Sequence, residues 1–372
     1  MHFTYKYINH EVEELQELLD FLFYEVWCKA DGDFDVEKLS GCERLKDIYE
    51  ALGNIDIDAK GGKSADFFNQ HIEKIYAEFL KLNEDQITQL KEGYSNNNNI
   101  EGLCTDKTIQ PLLYKQIETE HPDLAKLFKS FYGNLYGSNS PFNLVIFGDL
   151  KKKLIPDHYF KLMEANKREV CPFCGLLHLK GNNHGCREAY DHYLPKAIFP
   201  FSPVNFKNLA PMCNECNSSY KTTKIPIEKS NPVEDEETRK LAFYPYAEES
   251  PNIEFQVQIN TADINSLCPD DIQIEISSDG NDEQVESWIR VFGLEERYKA
   301  SLCSPDDGKA WVNSIIEGYD NAVAQGSTLT REQYFEAQYI DAKFQPETEK
   351  GFIKAPFLEA CKDKGIFNVS AI

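Results

Sequence analysis

Two Cys-x-x-Cys pairs, with an Asp-His doublet between them, are the residues whose types and spacing could do chemistry. The first pair is Cys171-Pro-Phe-Cys174, followed by Gly175, and the second is Cys213-Asn-Glu-Cys216, followed by Asn217. Two residues between cysteines let both thiolates of a tight turn face one ion, and two such knuckles supply the four sulfurs of a structural Zn²⁺. A redox Cys-x-x-Cys needs only one pair in a βαβ setting, which this region lacks. His178, His184 and Cys186 lie in the same stretch, but four sulfurs already complete a tetrahedral site.

Between the knuckles runs Tyr190-Asp191-His192-Tyr193-Leu194-Pro195-Lys196, and Asn208-Leu-Ala-Pro-Met leads into the second knuckle. Asp191 is a hard oxygen ligand suited to Mg²⁺ or Mn²⁺, and Asn217 offers a second, neutral oxygen. His192 adjoins Asp191, and an imidazole with an ordinary pKa of about 6.5 suits a general base. A base beside a divalent ion is what phosphodiester hydrolysis requires. A lone Asp-His pair is weak evidence. Its place between two knuckles, with an Asn directly after the second, is what gives it weight.

Taken together, Cys171-x-x-Cys174, Asp191-His192-x-Leu-Pro-Lys, Asn208-Leu-x-Pro-x-Cys213-x-x-Cys216-Asn217 and Lys221 resemble the HNH nucleases in their zinc-stapled ββα-metal form. The resemblance covers about 55 of the 372 residues, Cys171 to Lys224. It implies an endonuclease that cuts phosphodiester bonds in DNA. In it Asp191 holds the catalytic ion, and His192, at the end of the first strand of a hairpin, activates water. Asn208 would hold the loop that orients this base. Asn217, on a short helix, would be the second metal ligand, and Lys221, one turn on, would face phosphate or developing charge. Asn217 stands where the family name has His, which favours an oxygen-ligated Mg²⁺ or Mn²⁺ over a His-rich transition-metal site. The wider arrangement looks like HNH proteins of bacterial and phage-defence loci, some of which work beside an ATPase, as in Septu-like systems.

Plainer readings stand beside these. Asn208 could only cap a turn and Lys221 could be solvated surface. Tyr193 fits a core better than a DNA contact. Lys196 and Lys207 suit phosphate no better than any exposed lysine does. Trp288 and Tyr298 fit packing, on a helix that also carries Arg290 and Arg297. The competing function is a non-catalytic zinc module that binds nucleic acid or protein, but such a module has no need of Asp191, His192 and Asn217 together.

Positioning this motif falls to a long chain of mixed character. Its 39 basic and 62 acidic side chains give a formal charge of -23, and a 41% hydrophobic content can fill a sizeable core. Between Lys151 and Ser230, 13 Lys or Arg face 7 Asp or Glu, while the rest carries 26 against 55. A basic island inside an acidic chain permits binding of a polyanion. The acidic flanks suggest a nuclease gated by a partner that docks on them. Eleven cysteines, seven of them scattered singly, argue against a disulfide framework and for a reducing cytoplasm. No apolar run reaches membrane-spanning length, and the N-terminus has no signal-peptide pattern. The oligomeric state is not readable from the sequence.

The expected class is α+β, a mostly helical protein around the ββα core with a small C-terminal β element. Three regions are expected, namely helical residues 1–164, the nuclease core 165–229 and a mixed part 230–372. Val12, Leu15, Leu18, Leu19 and Leu22 keep helical spacing, as do Phe67, Phe68, Ile72, Ile75, Tyr76 and Phe79. A further helical stretch covers about 108–136, broken near His121-Pro122. Gly93 to Asn99 reads as a loop, and Ser230 to Thr238 as a linker. Residues 253–260 and 272–277 alternate as strands. Helices are expected over 285–297, 309–324 and 331–342.

Overall fold

The computed structural model describes residues 1–229, 238–346 and 348–368. The linker expected at Ser230 to Thr238 lies, except for its last residue, outside these. The architecture is α+β: most described residues are helical, and two separate two-stranded antiparallel sheets complete it. No described helix is long and apolar enough to cross a membrane.

The chain forms two compact units. One comprises Met1–Phe3, Val170–His178 and the residues from Glu249 onward, the other Thr4–Glu169 and Leu179–Glu248.

The larger unit is built on aromatic side chains delivered by amphipathic helices. Glu14–Phe21 continues through a π turn, Leu22–Val26, and a 3-10 turn, Trp27–Lys29, burying Leu15, Leu18, Leu19, Leu22, Phe23 and Val26 on one side. Gly62–Phe79 presents Phe68, Ile72, Ile75, Tyr76 and Phe79 in the same way. The expected break at His121 is present, with helices Tyr114–Glu120 and Pro122–Asn134 on either side of it. Residues 93–98, expected as a loop, instead complete the helix Glu84–Asn98. Its start is fixed by reciprocal bonds: the Gln86 N–H donates to Asn83 Oδ1 at 2.9 Å and the Asn83 N–H to Gln86 Oε1 at 3.0 Å. Its end is fixed by Asn97, which is fully buried. The Asn97 amide donates to the Leu112 and Pro200 carbonyls and accepts the Leu112 N–H. The polar run is helical because tertiary partners satisfy its amides, which overrides its weak intrinsic propensity.

The same unit holds the first hairpin. Strand β1, Tyr190–His192, pairs antiparallel with β2, Leu209–Pro211, in the register Tyr190↔Pro211, Asp191↔Ala210 and His192↔Leu209. A helix of π type, Glu215–Lys221, follows. Long side chains reach this short sheet from elsewhere in the unit. The Tyr5 hydroxyl donates to the Pro211 carbonyl (2.9 Å), Tyr246 to Leu209 (2.5 Å) and Tyr193 to Phe243 (2.6 Å). Tyr193 is thus a core residue, 4% exposed.

The smaller unit contains the hairpin expected near its start. Strand β3, Glu254–Ile259, pairs with β4, Ile272–Ser277, along six residues. Val257, Ile259 and Ile272 turn inward onto Leu302, Val312, Ile353, Phe357 and Leu358. The helix expected at 285–297 is two helices, Asp282–Phe292 and Leu294–Cys303, separated by Gly293 in the left-handed region (φ 59°). Gly308–Ala324 and Arg331–Phe344 lie where the periodicity places them, and Gly351–Asp363 adds a further helix.

Candidate active site and cysteine cluster

The hairpin and the helix after it bring four of the five expected catalytic residues into direct contact or one residue apart. His192 ends β1. Its Nε2 lies 2.9 Å from the Pro203 carbonyl oxygen, which can only accept, so Nε2 carries the proton and Nδ1 keeps its lone pair. Tyr136 packs edge-on against the ring, centroids 4.9 Å apart. The ring is partly exposed but packed closely enough that burial pushes its pKa down to about 3. The imidazole is therefore neutral at physiological pH, with its Nδ1 lone pair free, and the same burial weakens Nδ1 as a base.

Asp191, only 8% exposed, forms an ion pair with the Lys221 ammonium, Oδ2 to Nζ 2.6 Å. Lys221 is fully buried and also donates to the His192 carbonyl at 2.8 Å. Burial raises the Asp191 carboxyl above its ordinary range, against the pull of the ammonium, and lowers the lysine from its own. The plain reading of Lys221 as solvated surface does not hold. Its side chain ties the last helix back to β1 and meets both Asp191 and the His192 main chain.

Asn208 is fully buried. Its side chain accepts the Leu194 N–H at 2.8 Å and donates to the Leu194 carbonyl at 3.1 Å, and its own carbonyl accepts the Tyr193 N–H at 2.8 Å. This is a clamp on the chain leaving His192, beyond a simple turn cap. Asn217 sits in the middle of the π helix and is half-buried. Its main chain accepts the Thr222 N–H, and no contact of its side chain with Asp191 is described.

The two lysines weighed as phosphate contacts differ in their surroundings. Lys207 is exposed, its ammonium 5.9 Å from the centre of the Tyr7 ring. Lys196 donates to the Gly133 and Tyr136 carbonyls at 3.0 and 2.7 Å, closing the C-terminal end of helix Pro122–Asn134.

The cysteines sit in turns shaped for sulfur. In the first knuckle the Cys171 N–H donates to Leu177 O, the Gly175 N–H to Cys171 O, and the Leu176 N–H to Cys174 Sγ at 3.4 Å. Gly175 takes φ 67°, which a side chain would resist. Trp288 and Tyr298 hold this turn by donating to the Phe173 and Cys174 carbonyls. In the second knuckle the Cys216 N–H points at Cys213 Sγ at 3.5 Å, and the Asn217 N–H bonds Cys213 O. All four cysteines are buried, and in number and donor type they could bind zinc. N–H groups aimed at sulfur favour the thiolate form that a metal needs. His178, His184 and Cys186 do not join this group.

Two contacts at the site carry no signal in the sequence. The Pro203 acceptor is main chain, and Tyr136 lies more than fifty residues from His192.

No family model matches the chain and no solved structure matches it. It is 23% identical over 228 residues to "Protein ea31" of Escherichia phage lambda, covering 59% of this chain and 64% of that protein. It is 28% identical over 80 residues to "Septu protein PtuB" of Bacillus thuringiensis, covering 21% of this chain and 30% of that protein. The chain therefore spans less than two thirds of the length of either relative.

Proposed function

We propose that the protein is a divalent-metal-dependent endonuclease of HNH type that hydrolyses phosphodiester bonds in DNA. The observation that carries this reading is His192, whose proton is fixed on Nε2 by the Pro203 carbonyl, leaving Nδ1 as the acceptor, with the buried Asp191 carboxylate one residue before it on the strand. In the reaction Nδ1 takes a proton from water, the water oxygen attacks phosphorus, and the bond to the leaving oxygen breaks. Asn208 keeps the backbone after His192 in place, and Lys221 holds Asp191 and the His192 carbonyl to one helix.

Asp191 and Asn217 would hold the catalytic Mg²⁺ or Mn²⁺. They fit in kind, both offering hard oxygen. Asp191 already carries the Lys221 ammonium, so a divalent ion would share or take over that carboxylate. The chemistry such an ion supplies is polarisation of the phosphoryl oxygen and neutralisation of the leaving oxygen. The four cysteines would hold a structural Zn²⁺, and they fit it in number, burial and donor type.

The likeness to a protein named for the Septu system supports a role in anti-phage defence beside a protein partner such as an ATPase, and the scattered single cysteines support a reducing cytoplasm. The basic stretch from Lys151 supports a nucleic-acid substrate. One observation favours the non-catalytic zinc module: the Asp191–Lys221 pair is complete without an added ion. Plasmid cleavage decides between them. Cleavage that requires added Mg²⁺ or Mn²⁺ and is lost in His192→Ala supports the nuclease, by about 10²–10⁴-fold in rate for a general base. Equal cleavage by both proteins removes His192 from the mechanism. No cleavage by the wild type, alone or with its partner, leaves the zinc module.

A further inference from the structure

A lysine triplet lies outside the motif yet is tied to the same site. Lys151, Lys152 and Lys153 occupy the π turn Leu150–Leu154, and all three are exposed while Leu150 and Leu154 are buried. The turn is set by Gly148 and Asp149, both at positive φ (88° and 56°), and the Asp149 carboxylate accepts the Lys152 N–H. The link to the site runs through Tyr136 and the turn after it. Tyr136 packs on His192 and its carbonyl accepts Lys196. Two residues on, the Ser138 hydroxyl accepts the Lys151 ammonium at 3.0 Å. Asn143 locks the turn, donating to the Gly137 and Ser138 carbonyls and accepting the Lys151 N–H. Two residues of chain span at most about 7 Å. The triplet is therefore joined, through Lys151 and Ser138, to the same turn whose Tyr136 packs on His192.

The charges are weakly engaged. Lys151 bonds only a neutral hydroxyl. Lys153 faces Glu11 at 3.8 Å across an exposed pair, and Lys152 has no side-chain partner among the described residues. The neighbouring acid Asp157 is occupied by His10 and Lys161. An exposed charge run is most often a solvated face. This one differs because a bonded turn connects it to the candidate base.

We infer that Lys151, Lys152 and Lys153 form the grip for the nucleic-acid backbone, holding phosphates beside the scissile bond. This rests on the nuclease reading and names a substrate-binding surface outside the motif.

The test uses the full chain, a labelled 30-base-pair duplex DNA and a salt titration without added magnesium. Three proteins are compared: the wild type, Lys151→Gln/Lys152→Gln/Lys153→Gln, and a control with the exposed Lys81, Lys115 and Lys126 changed to Gln. Each lost phosphate contact lowers the slope of log K against log salt by about 0.9. The expected result is a fall of two to three in that slope and at least tenfold weaker binding at 0.1 M salt for the first variant only, with unchanged melting temperature. Equal binding by all three proteins overturns the grip and leaves the nuclease reading to the His192→Ala cleavage assay. Equal weakening by both triple variants also overturns it, because bulk charge then explains the loss. No binding by the wild type overturns it as well, and plasmid cleavage still reports on the nuclease independently.

Discussion

The two hairpins of this protein are held in opposite ways. The β3–β4 hairpin pairs six residues per strand and buries its own inward face, so its ladder and its packing specify it locally. The β1–β2 hairpin pairs three per strand, too few to stand alone. It is fixed from outside by the Tyr5 and Tyr246 hydroxyls, the Asn208 clamp and the buried Lys221. The regular hairpin carries no candidate chemistry, and the externally held one carries the candidate base His192 and Asp191. A short sheet pinned by side chains leaves its edges and termini free to present functional groups, and the surrounding core supplies the rigidity.

Phe201 offers the strongest way to break this contrast. It lies in the loop between β1 and β2 with φ 81°, a conformation a bulky residue adopts only under constraint. Its ring, fully buried, sits 5.0–5.5 Å from those of Tyr94, Phe128, Tyr132 and Phe23. Phe201→Ala is expected to cost about 3–5 kcal/mol in denaturant unfolding. It should also lower the activity of the protein that remains folded, since Pro203, the His192 acceptor, is two residues away. Full activity in the folded fraction would show that the hairpin needs no such anchor.

Asn208→Ala comes next. It strands the Leu194 N–H and C=O in the interior and is expected to cost about 2–4 kcal/mol, with a parallel loss of cleavage. A stable variant that still cuts would remove the clamp from the account.

A smaller effect is readable in pH. His158 is fully buried behind β1 with Nδ1 2.6 Å from the Tyr190 hydroxyl, and burial pushes its pKa down to about 3. Because the folded pKa lies below the ordinary 6.5, its stabilising contribution is complete above pH 6.5 and declines as pH falls toward 3. The slope is up to about 1.4 kcal/mol per pH unit. His158→Gln should flatten the stability curve by one proton in that window, as read from urea midpoints at pH 4 to 7. An unchanged slope would mean that His158 does not titrate on unfolding. The smallest effect is on the other hairpin, where Gln256→Ala on the solvent side should shift stability by less than about 0.5 kcal/mol and leave cleavage untouched.

The candidate site was largely legible because its chemistry resides in residue types. Cysteine pairs, Asp191-His192 and Asn217 announce themselves at any fold. The long helices and the β3–β4 hairpin were legible from their periods, since each buries one continuous face. What escaped the sequence depends on distant partners. Residues 93–98 read as a loop until Leu112 and Pro200 satisfy Asn97. The inward turn of Lys221 depends on Asp191, thirty residues earlier. Gly351–Asp363 contains Pro356 in its interior, a residue that ordinarily signals a break.

The acceptor on His192 has a consequence for mutational tolerance. A histidine oriented by a carboxylate can lose its orienting group through a single codon change. Here the orienting group is the Pro203 carbonyl, which every amino acid at that position would possess. The tautomer is therefore insensitive to substitution at its own partner and sensitive to the path of the loop. Inactivating changes should concentrate at residues that set the loop's course, Phe201 among them, more than at the atom that makes the bond.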